Sequence, residues 1–179
     1  HVTFSKEPGK FIEEITSEAS SILASEDSKE DKISKLKKIA ENSVDIVGIG
    51  LYSLGKHRKT INSDQKKTYN KLFREYFLKS FSSRLAEYTN PKIDVQSQEK
   101  LNDNYTIVSS VLVATDTRPE IKIQWRVYTK DPEKPLIRDL IIEGLSLART
   151  QKEEFSSIMQ TNDGDIQSLF SSLKKFINN

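Results

Sequence analysis

The chain has 179 residues, with 28 Lys and Arg against 26 Asp and Glu (formal net charge +2), no Cys, 35% hydrophobic and 30% charged residues. That length suits one domain able to bury a full core without covalent staples. The missing Cys excludes a disulfide scaffold, a thiolate nucleophile and Cys-ligated zinc. The near-neutral balance argues against a dedicated nucleic-acid binder, and the longest apolar stretch, 46–55, is interrupted by Gly48 and Gly50 and is too short to span a membrane.

The chain starts at His1, and Met159 is its one Met. The expectation is therefore that a preceding segment is missing, either a removed leader such as a secretory signal or residues trimmed from the chain.

The elements read as follows. Residues 8–25 predict a helix, with Phe11, Ile15, Ala19 and Ile22 or Leu23 near the helical period. A second runs over 28–42, capped by Asp27 or Ser28, with a thin stripe of Ile33, Leu36, Ile39 and Ala40 among lysines. Residues 45–56 predict a short apolar helix whose glycines mark close packing. A long helix follows over about 64–89, with Tyr69, Leu72, Phe73, Tyr76, Phe77, Phe81, Leu85 and Tyr88 at spacings of three and four.

Asn90-Pro91 ends it, and the period then changes to two. A weak strand is expected over 92–98. A stronger one covers 104–115, with Tyr105, Ile107, Ser109, Val111 and Val113 on one face. The third strand, 120–129, alternates: Ile121, Ile123, Trp125 and Val127 inward, Lys122, Gln124, Arg126 and Tyr128 outward. A fourth covers 136–143 and ends at Gly144. Helices over 146–160 and 165–177 close the chain. Helices, then an antiparallel meander, then helices give an α+β class and a single domain over 1–179.

Enzyme motifs are missing: no GxGxxG, GxxxxGK[ST], GxSxG or HExxH occurs. His57 lies in a basic loop without a carboxylate partner in sequence. The pairs Glu13/Glu14 and Glu153/Glu154 point apart on a helix and read as surface charge. Asp163-Gly164-Asp165 reads as a helix cap. Asp139 and Glu143 read as anchors for loop amides or an Arg. No cofactor and no metal is expected. Basic residues cluster between 56 and 84, as a solvated face or an attraction to anionic lipid or an acidic partner.

Apolar residues thus gather on one face of a long helix and one face of a sheet. Two such faces close as a solid core or stand apart around a cavity. Periodicity leaves both open.

The residues Leu54-Gly55-Lys56, Gln65, Phe73-Arg74-Glu75-Tyr76 and Gln124-Trp125-Arg126 resemble the toluene-tolerance or MlaC-type family of phospholipid-binding proteins. The strongest likeness is the run from Asp139 to Ser146, continuing through Gln151, Glu154, Phe155 and Ile158. It covers about 45–178. The fourth strand departs from the pattern, entering on Lys134-Pro135-Leu136 where relatives are aromatic-rich.

The resemblance implies a four-stranded twisted antiparallel sheet packed against helices, in a nuclear-transport-factor-like arrangement around a lipid cavity. It implies a periplasmic carrier of a Gram-negative bacterium that holds a glycerophospholipid by its acyl chains. Its partners would be an inner-membrane ABC transporter with a substrate-binding ring and an outer-membrane lipoprotein–porin complex. Carried over by position, Phe73, Phe77 and Phe81 form the helix wall; Ile107, Val111, Ile123 and Trp125 the sheet wall; Leu140, Ile142 and Leu145 the far end; Leu51 and Leu54 the roof. Arg118, at the tip of the second hairpin, is placed for a docking partner. Two other classes stand beside this reading. One is an interaction module with a solid core and no cargo. The other is a small-molecule enzyme, which needs a polar group inside the pocket.

Overall fold

The computed structural model describes residues 4–179, so His1 lies outside the described residues. Six α-helices and five strands follow in the order α1 (Pro8–Ala24), α2 (Lys29–Ser43), α3 (Ile46–Leu54), α4 (Ser63–Leu85), β1 (Ile93–Lys100), β2 (Tyr105–Leu112), β3 (Ile121–Tyr128), β4 (Leu136–Ile142), β5 (Leu145–Ser146), α5 (Leu147–Gln160) and α6 (Ile166–Ile177). A 3-10 turn over Gly55–Lys59 joins α3 to α4.

The helix starts follow from side-chain caps. Ser28 accepts from Asp31 N at α2, Asp45 from Gly48 N at α3, and Asp165 from Gln167 N at α6. At α4 the cap is Asn62, in a reciprocal box with Gln65. Each cap satisfies an amide that the first turn leaves without a partner.

The strands form one antiparallel sheet ordered β1-β2-β3-β4-β5. The fifth strand corrects the expected four. Glu143 and Gly144 both take positive φ (49° and 82°), so the chain reverses in a tight hairpin and Leu145 pairs back on Ile142. Glu143 Oε1 also accepts from Lys122 N at 2.7 Å. A two-residue strand before a helix has no periodicity to reveal it.

The register of β2 on β3 fixes the inner face. Thr106, Val108, Ser110 and Leu112 lie opposite Val127, Trp125, Ile123 and Ile121. The β3 assignment is as read from alternation. The β2 assignment is inverted: Ile107 and Val111 lie opposite Arg126 and Lys122, on the outer face. Val111 is buried there but stands outside the main core. The outer set (Tyr105, Ile107, Ser109, Val111) is the more apolar of the two, so alternation alone favours the wrong face. The choice is made by Ser110, whose hydroxyl donates to Ile123 O at 2.8 Å and accepts from Trp125 Nε1 at 2.9 Å.

α3 packs on α4 through Gly50. A Cβ there would stand 2.8 Å from the Phe73 ring, and the Tyr69 hydroxyl donates to Gly50 O at 2.6 Å. Burial pushes the Tyr69 hydroxyl far above its ordinary pKa. Phe73 also meets Phe77 at 6.0 Å and Phe155 of α5 at 6.1 Å. This aromatic block forms the solid half of the core. Residues Val44 and Asp45, between α2 and α3, bridge to Ile137 of β4, with Asp45 N donating to Ile137 O at 2.9 Å. Arg138, the extra residue at a β4 bulge, pairs with Asp45 at 2.6 Å. Among the described residues, no helix is long and apolar enough to cross a membrane.

Candidate functional site

The apolar core is not continuous. A main cluster joins the sheet, α3, α4, α5 and α6 with Phe11, Ile12 and Ile15 of α1 and Ala40 of α2, while Ile22, Leu23 and Leu36 form a second, smaller one between α1 and α2. A cavity of about 160 Å³ lies between the two. Its walls come from α1 and α2, the C-terminal end of α4, the segment through Tyr88 and Pro91, and the inner face of β1 to β4.

Three hydroxyl residues in the lining are turned away from the space. Thr16 Oγ1 donates to Ile12 O at 2.8 Å, Ser20 Oγ to Pro91 O at 2.6 Å and Ser43 Oγ to Ile39 O at 2.6 Å. The Trp125 indole N–H is held by Ser110. The lining therefore presents mainly carbon, with these hydroxyls bonded to backbone carbonyls and the indole N–H to Ser110. Such a surface binds hydrocarbon and offers water almost nothing. Among the described residues, Tyr88 is the one titratable side chain in the lining, and no group of three His, Asp or Glu stands together to hold a metal.

Of the residues placed around the cavity by sequence, Phe81, Ile123, Trp125, Leu140 and Ile142 line it. The β4 bulge explains how Ile137, Leu140 and Ile142 come to share one face. Seven do not line it. Phe73 and Phe77 lie further up α4, in the aromatic block. The helix has 23 residues, about 34 Å, so one stripe serves the solid core first and the cavity only at its end. Phe77 still stacks on Phe81, with centroids 5.6 Å apart. Leu51 and Leu54 lie on α3, which packs on α4, α5 and β4 and leaves the roof to α1 and α2. Ile107 and Val111 are on the outer face. Leu145 is 57% exposed in the two-residue edge strand.

Sequence reasoning missed the other wall: Ile15, Ala19, Leu23, Leu36, Ala40 and Ser43 of α1 and α2. The signal was a run of small residues within two thin stripes.

Asp139 acts as an anchor. Its carboxylate accepts from Ala148 N at 3.0 Å and from the Ser146 hydroxyl, fixing the start of α5 against β4. Arg118 folds back from the β2–β3 connection, its guanidinium 5.6 Å from the centroid of the Tyr88 ring. Of the basic cluster, Arg74 pairs with Glu41 at 2.6 Å, and Lys79 donates to three carbonyls at the end of α6.

Comparison with known proteins gives three findings. The family model described as MlaC protein matches residues 13–175. The "Intermembrane phospholipid transport system binding protein MlaC" of Haemophilus influenzae is 27% identical over 97 residues, 52% of this chain and 45% of that relative, so under half the relative's length is matched. A solved structure of a phospholipid-binding protein from Ralstonia solanacearum, in complex with a phospholipid, superposes with a TM-score of 0.76 at 16% identity, covering 93% of this chain and 94% of that one. At that identity the likeness is one of fold.

Proposed function

The chain belongs to the MlaC family, and on that premise we propose that it is a periplasmic carrier of glycerophospholipid, held by its acyl chains. The observation that carries this reading is the carbon-lined cavity between the two core clusters. Burying one methylene is worth about 0.8 kcal/mol, so a sixteen-carbon chain held in water is disfavoured by roughly 12 kcal/mol. A chain crosses an aqueous space only inside a shell that offers comparable contact. This lining offers it from both sides, by Ile15, Leu23 and Leu36 against Ile123, Trp125 and Leu140.

The volume sets how much of the lipid is enclosed. An apolar cavity of about 150 Å³ takes one benzene molecule, so about 160 Å³ encloses a segment of roughly six chain carbons. That is less than the several hundred Å³ of a typical ligand pocket. Enclosing a whole chain, or a second one, requires α1 and α2 to part from the sheet.

The carrier would receive lipid from, and give it to, an outer-membrane lipoprotein–porin complex and an inner-membrane ABC transporter with a substrate-binding ring, serving outer-membrane lipid asymmetry. Transfer in either direction needs affinities that are nearly balanced at each end. The relative from Haemophilus influenzae is named as the binding protein of an intermembrane phospholipid transport system. The test is transfer of a fluorescent phosphatidylcholine between vesicles. The rate should rise in proportion to protein added; a rate no faster than in buffer would remove the carrier reading.

A further inference from the structure

The cavity is closed at one end and open at the other. Leu36, Ala40, Ser43 and Ile137, all 2% exposed or less, close it, whereas Tyr88 is 39% exposed and forms part of a rim. The β2–β3 connection leaves the sheet at this rim, directly after the lining residue Leu112. Arg118 stands in that connection and turns back over the Tyr88 ring.

We propose that Arg118 binds the phosphate ester of the lipid whose acyl chain occupies the cavity, an assignment that rests on the carrier reading. The guanidinium has five N–H donors. Its Nη2 reaches Val113 O at 3.4 Å, longer than an ordinary hydrogen bond. Its Nε is enclosed and has no acceptor. Among the described residues no carboxylate lies within 4.0 Å of it, whereas Arg74 and Arg138 are paired with Glu41 and Asp45. An enclosed donor without an acceptor is costly and rare in folded proteins. The Tyr88 face holds the cation in place through its ring electrons without neutralising it. A planar fork of donors matches phosphate oxygens in pairs.

Position completes the argument. A chain inserted from the rim leaves its glycerol ester, and the phosphate beyond it, outside the apolar lining. Arg118 stands over Tyr88 on that side of the cavity. Phosphate is common to all glycerophospholipids, so this contact anchors the cargo without reading its variable part, which stays in water.

The test is competition. Lipid-stripped protein is loaded from mixed vesicles containing equal dipalmitoyl phosphatidylglycerol and dipalmitoylglycerol, and the bound ratio is read by native mass spectrometry. The wild type should prefer the phosphate-bearing lipid by about tenfold, the scale of one charge-assisted hydrogen bond. Arg118→Gln should bring the ratio near one while diacylglycerol loading stays at the wild-type level, and Arg118→Lys should fall between. An unchanged ratio in Arg118→Gln, including one accompanied by loss of delivery to partner complexes, would overturn the proposal and leave a docking role. Equal loss of both lipids would mean a structural role and would also overturn it. Wild type that loads neither lipid would remove the carrier reading itself. Inorganic phosphate alone should leave the melting temperature of stripped protein unchanged; a rise lost in Arg118→Gln would assign the site to free phosphate instead.

Discussion

Stripping lipid from the protein should lower its melting temperature by a calculable amount. An apolar cavity that the surrounding side chains cannot fill costs about 24 cal/mol per Å³. For the 160 Å³ between the two core clusters this is about 4 kcal/mol. In a domain of this size 1 kcal/mol corresponds to roughly 2–4 °C, so the stripped protein should melt about 8–16 °C below the loaded one. Differential scanning calorimetry of the same preparation before and after delipidation measures it. The substitution Ala40→Phe supplies the control. Ala40 is 1% exposed and lines the closed end, so the new ring would enter the space that the chain occupies. This variant should not load lipid, and its melting temperature should be the same before and after delipidation. Equal melting temperatures for loaded and stripped wild type would refute the view that cargo completes the core.

Phe81 and Phe73 should separate cargo binding from folding. Phe81→Glu puts a carboxylate at a half-buried position in the lining, and should cut loading at least tenfold while the fold, read by circular dichroism, persists. Phe73→Ala removes a ring that is 1% exposed in the solid half, and should cost about 3–5 kcal/mol in denaturant melts, with loading lost only as the protein unfolds. Tyr69 and Tyr76 are both held neutral by burial, so their pKa values in the folded state are raised above the ordinary 10.0. The sign follows: their contribution is complete below about pH 10 and is lost as pH rises beyond it. Tyr69→Phe should lower stability by about 1 kcal/mol at neutral pH, through loss of its bond to Gly50 O, and flatten the fall between pH 9 and 11 in urea melts.

The sequence was legible where one periodicity stood alone. In β3, apolar and polar residues alternate without exception, and the inner face was assigned correctly. In β2, Ile107 and Val111 made the wrong face look the more apolar. The right one carries Thr106 and Ser110, polar by type yet satisfied within the sheet. The cavity wall on α1 and α2 was hidden for the same reason. Ala19 and Ala40 are small, and Thr16 and Ser43 do not look like a lipid surface until their hydroxyls are seen to bond backward along their own helices. The aromatic run of α4 was conspicuous, but most of it serves packing against α3 and α5, where Gly50 admits Phe73. A stripe shows which face is buried and not what covers it. The family likeness placed a cavity in the fold; only the register and the break in the core locate it.

The central claim is that the space between the two core clusters carries a glycerophospholipid. Native mass spectrometry of folded protein purified from a bacterial host tests it most directly. The account predicts a mass above that of the chain by one phospholipid, released on unfolding and identified by fragmentation, and absent from Ala40→Phe. A wild-type protein that carries no lipid, and takes up none from vesicles after purification, would contradict it.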